Sequence, residues 1–66
     1  MNYLSKLARR IENTENKLTV QQIVLHRDSF KVFVKTKEDN LDLKKAEMLL
    51  REELSMPNLL IIASGE

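Results

Sequence analysis

The chain has 66 residues, the size of one small domain spanning residues 1–66. Eleven Lys/Arg against ten Asp/Glu leave a formal charge of +1, which excludes a strong global field, and the lack of Cys excludes disulfides and thiolate–metal sites. Leu, Ile, Val and Phe supply about a third of the residues, enough for a folded core, yet a chain this short hides only about 60% of its unfolded surface, so self-association is an expected source of extra stability.

Residues 2–16 read as a helix. Leu4, Leu7, Ala8 and Ile11 form one apolar stripe at i, i+3, i+4, i+7 spacing, with Lys6, Arg9 and Arg10 on the other side. Asn2 can cap the start. With almost no glycine in the chain, Asn13 or Asn16 is expected to end the helix in a left-handed conformation.

Residues 18–26 read as a strand of imperfect alternation, with Leu18, Val20 and Val24 on one face and Ile23 and Leu25 on the other. His26-Arg27-Asp28-Ser29 is expected to be a four-residue hairpin turn. Residues 30–37 alternate cleanly, Phe30, Val32 and Val34 against Lys31, Phe33, Lys35 and Lys37.

After the charged loop 37–40, a second helix is expected over 41–54. Asp42 stands in its first turn, Leu43, Ala46, Leu50 and Leu54 form the buried stripe, and Glu47 and Arg51 are spaced to pair at i, i+4. Met48 falls on its polar side. Pro57 stops the helix, and the apolar run Leu59–Ala63 inside residues 58–64 suits a strand.

The expected architecture is therefore α+β, ordered α-β-β-α-β, with two helices packed on one face of a three-stranded sheet. The other face, carrying Phe33, Ile23, Leu25, Leu60 and Ile62, is too apolar to leave bare. Those five residues are the expected self-association surface of a homodimer.

Enzymatic parts are missing. The single histidine, His26, lies in the triplet His26-Arg27-Asp28, which spells the protein-kinase catalytic loop. The glycine-rich loop and the metal-binding Asp-Phe-Gly are absent, so a turn is the better reading. Neighbouring Glu52 and Glu53 diverge by about 100° on a helix and do not face each other. Asp39-Asn40-x-Asp42 lacks the turn glycine of a calcium loop. No catalytic, metal or cofactor residues are assigned, and a non-enzymatic protein without a cofactor is expected. No apolar run approaches the length of a membrane span, and basic residues interrupt any secretory core. The expected compartment is the cytosol, with no membrane partner.

Charge distribution is more informative than net charge. Residues 1–37 carry +5 and residues 38–66 carry −4. Lys31-x-Phe33-x-Lys35-x-Lys37 sets an aromatic ring between cations on one side of a strand. Such a surface suits single-stranded nucleic acid, where bases stack and phosphates meet ammonium groups. Lys6, Arg9 and Arg10 are candidate further phosphate contacts. The element order resembles an RNA-recognition motif without its first strand, and Phe30–Lys35 falls on the strand that carries that family's aromatic motif. The motif's glycine and second exposed aromatic are missing, and the loop glycines of a type II KH domain, whose element order is similar, are missing too. Neither likeness identifies a family or assigns a residue role.

The functional expectation is a small non-enzymatic interaction or regulatory module that self-associates through its sheet, of a composition that fits bacterial or phage accessory proteins. The alternative is a single-strand nucleic-acid binder using the basic-aromatic strand.

Overall fold

The computed structural model describes residues 2–64, in the order α1 (Tyr3–Thr14), β1 (Leu18–His26), β2 (Ser29–Thr36), α2 (Leu43–Glu53) and β3 (Leu59–Ala63). The fold is α+β, with a mixed sheet ordered β1-β2-β3. Strand β1 runs antiparallel to β2, and β3 runs parallel to it after the α2 crossover.

Both helices begin at side-chain caps. The Ser5 N–H donates to Asn2 Oδ1 (2.8 Å) and the Lys45 N–H to Asp42 Oδ1 (3.2 Å). Asp42 thus precedes α2 as its cap rather than lying within the first turn. Helix α1 ends differently from expectation. It stops at Thr14, and Glu15 takes an extended conformation (φ −128°) while its N–H still donates to Ile11 O. Neither Asn13 nor Asn16 is left-handed. Among the described residues only Arg27 and Ser55 have positive φ.

Leu7 and Ile11 of α1 and Ala46 and Leu50 of α2 meet Val32, Val34, Leu59 and Ile61 in a single core, so both helices cover the same face of the sheet. Burial of these side chains is the main stabilising term, at roughly 1.5–3 kcal/mol for each large one. Leu4 and Leu49 extend the two stripes but stay exposed.

The hairpin is tighter than expected. Strand β1 continues through His26 and β2 starts at Ser29, leaving Arg27-Asp28 as a two-residue turn. The Asn58 side chain donates to Asp28 O, and Phe30 N–H donates to Asn58 O (3.0 Å), which ties the turn to the start of β3.

The main departure lies in β1. Val20 stands opposite Val34, but the next pair is Gln22 with Phe33, so Gln21 has no partner and forms a β-bulge. One extra residue reverses the alternation beyond it. Ile23 therefore pairs with Val32 and Leu25 with Phe30, both on the helix side. Ile23 packs against the core, and Leu25, at the strand end, is 59% exposed. Uninterrupted alternation predicts these two residues on the uncovered face; the bulge puts Val24 there instead.

Candidate functional site

The uncovered face is defined by register. On the middle strand it carries Ser29, Lys31, Phe33 and Lys35. Thr19, Gln22, Val24 and His26 of β1 stand opposite Lys35, Phe33, Lys31 and Ser29 respectively, and Leu60 and Ile62 of β3 stand beside Lys31 and Phe33. Phe33 occupies the centre, with Gln22 and Ile62 across the strands and a lysine two residues away in each direction. The alternation of β2 and the parallel pairing with β3 put these groups together.

Among the described residues no element lies over this face. Val24, Lys31, Phe33, Leu60 and Ile62 are half-buried and Lys35 is exposed. Of the five residues expected to form the self-association surface, the face brings together Phe33, Leu60 and Ile62 and excludes Ile23 and Leu25. It adds Val24. The signal for this exchange was present in β1, where Leu18 and Val20 are spaced by two, Ile23 and Leu25 are spaced by two, and the step between the pairs is three.

The expected basic residues divide as well. Lys31 and Lys35 flank Phe33, and Lys37 lies just beyond the end of β2, its N–H donating to Lys17 O (2.9 Å). Lys6, Arg9 and Arg10 are exposed on α1, and α1 packs on the opposite side of the sheet. They do not form one surface with Phe33. None of the strand positions on the open face holds a carboxylate; its charge is entirely cationic.

The sheet edges are treated differently from the face. Phe30 N–H donates to Asn58 O and Ser64 N–H to Val34 O, so the even-numbered residues of β3 turn their main-chain groups toward β2. Leu59 and Ile61 turn theirs outward. Helix α2 takes up these outward groups: Arg51 Nε donates to Leu59 O (2.8 Å), and Ile61 N–H donates to Glu47 Oε2 (2.9 Å). Glu47 Oε1 and Arg51 Nη2 also pair with each other at 3.2 Å. The pair expected from helical spacing thus closes the first half of an edge strand. On β1, the Val20 N–H beside the bulge donates to Glu12 Oε2 (2.8 Å). Both edges carry a helix carboxylate where an incoming strand would have to bond.

Other surfaces offer less. An open groove between the C-terminus of α2 and Pro57 is lined by Met48, Arg51, Glu52 and Ser55, and its Arg51 is already engaged by Leu59 O and Glu47. Among the described residues no group of three or more His, Cys, Asp or Glu could hold a metal ion, and no helix is long and apolar enough to cross a membrane.

Comparison with protein-family models, curated proteins and solved structures gives no match.

Proposed function

We propose that this chain is a small non-enzymatic interaction module whose docking surface is the open face of its sheet. One observation carries the reading: four apolar side chains, Val24, Phe33, Leu60 and Ile62, stand together on a face that neither helix covers. Phe33, Leu60 and Ile62 adjoin one another, with Val24 across Lys31, and an apolar cluster on an uncovered sheet face is a place for another molecule to sit. Helix carboxylates close part of each edge, which leaves the face as the broadest sheet surface available to a partner.

The test is selective polarisation of the face. Phe33→Ser and Ile62→Ser should abolish binding of the apolar dye anilinonaphthalene sulfonate to the native chain while shifting the urea midpoint little. Val32→Ser, one residue away on the covered face, should unfold the chain. Dye binding that survives both face substitutions would move the docking surface elsewhere. A collapse of stability with Phe33→Ser would make the face structural.

A further inference from the structure

We infer that the open face takes single-stranded nucleic acid, with Phe33 as the stacking platform and Lys31 and Lys35 as phosphate contacts. The inference rests on the docking surface proposed above and names its occupant. Three features of the face select it.

The first is charge. Lys31 and Lys35 stand on the face with no carboxylate at any of its strand positions. A second copy laid face to face would bring four lysines into an interface with nothing of opposite sign to meet them. Lysine is depleted from interface cores, and like-charge juxtaposition is costly. An anionic partner removes that cost.

The second is arrangement. A ring on the middle strand has a cation two residues away on either side, at about 7 Å along the strand. Gln22 and Ile62 flank it across the sheet. A base stacked on Phe33 would have its flanking phosphates within lysine reach, with the Gln22 amide at the base edge. Leu60 and Ile62 extend the apolar floor beneath a neighbouring base. Stacking is sequence-tolerant because every base has a π face.

The third is size. Strands of nine, eight and five residues give a face roughly 15 Å wide and about 17 Å long at β3 to about 30 Å long at β1. That is well short of the about 800 Å² per partner of a standard protein interface, but it accommodates a few stacked nucleotides.

The experiment is fluorescence anisotropy of a labelled mixed-sequence single-stranded DNA of about 12 nucleotides and of the matching RNA, with the intact chain at two salt concentrations. Binding should weaken with salt with a log–log slope near −1.4 for two phosphate contacts. Lys31→Gln or Lys35→Gln should lower the slope magnitude by about 0.7. Phe33→Ala should weaken binding by about 5- to 150-fold with the circular dichroism spectrum unchanged. The variant Lys6→Gln/Arg9→Gln/Arg10→Gln should bind nearly as well as the parent.

Loss of binding in that helix variant but not in the face variants would overturn the inference, as would equal competition by polyglutamate. Absence of binding at low salt would also overturn it. If the chain then sediments as a dimer that Phe33→Ser dissociates, the docking surface stands and its occupant is a second copy. If it is monomeric and the dye test also fails, the docking surface falls with the inference.

Discussion

Ser55 occupies a position usually given to glycine. It follows Leu54, the C-cap of α2, with φ 54°. Its N–H donates to Glu52 O (3.3 Å) and the Met56 N–H donates to Arg51 O (2.9 Å). These two bonds are the paired closure of a Schellman turn, in which the residue after the cap is left-handed. A Cβ makes that conformation cost about 1–2 kcal/mol. Ser55→Gly is therefore expected to stabilise the fold by about 0.5–1 kcal/mol once the greater freedom of glycine in the unfolded chain is deducted, read as a higher urea midpoint with an unchanged slope. Arg27, at φ 57° in the two-residue hairpin turn, makes the same argument on another element. Arg27→Gly is expected to raise the midpoint similarly, and a fall would show that the arginine side chain makes a stabilising contact of its own.

At the scale of elements, the bulge at Gln21 decides what β1 presents. Deleting Gln21 would join Val20 directly to Gln22 and turn the existing pairs Val20–Val34, Gln22–Phe33 and Ile23–Val32 into a regular ladder, with Ile23 and Leu25 still on the helix side and Val24 on the open face. The deletion exchanges no core side chain and is expected to change stability by no more than about 1 kcal/mol, measured by urea unfolding; a loss of several kcal/mol would show that β1 pairs with β2 in a different register.

Glu47 and Arg51 act at the same scale. Removing the carboxylate leaves the Ile61 N–H without its acceptor and Arg51 without its partner. Glu47→Ala is expected to cost about 1–3 kcal/mol and to open β3 to strand addition, seen as concentration-dependent light scattering. The exposed pair Lys17–Glu38, at 3.5 Å, serves as the control. Lys17→Ala should change stability by under about 0.5 kcal/mol, and equal effects from the two substitutions would refute a special role for Glu47.

For the whole molecule, the balance is narrow. A domain of this length has a stability of roughly 3–10 kcal/mol. Leu50 is fully buried where α2 meets the sheet, and Leu50→Ala is expected to remove about 2–5 kcal/mol, a large share of the total, read as a lower urea midpoint by circular dichroism. Phe33→Ser, on the opposite side of the same sheet, should cost under about 1 kcal/mol. That contrast separates a covered face that holds the fold together from an open face that contributes little to stability.

The sequence by itself determined the kinds of element and their order. Helical spacing in Leu7 and Ile11, alternation through residues 30–36 and the stop at Pro57 are local features, and each is decided within a few residues of chain. The position of Phe33 between two lysines was readable for the same reason, because β2 alternates without interruption. Tertiary structure decided the rest. Strand β1 faces two ways along its length, and only pairing with β2, which leaves Gln21 without a partner, settles that Ile23 and Leu25 turn toward the helices while Val24 turns away. Only packing brings Glu47 and Arg51 onto the outer edge of β3 and sets the basic side of α1 on the other side of the sheet from Phe33. Side chains acquire a common face through hydrogen bonds between strands distant in sequence, and no periodicity within one segment can specify that register.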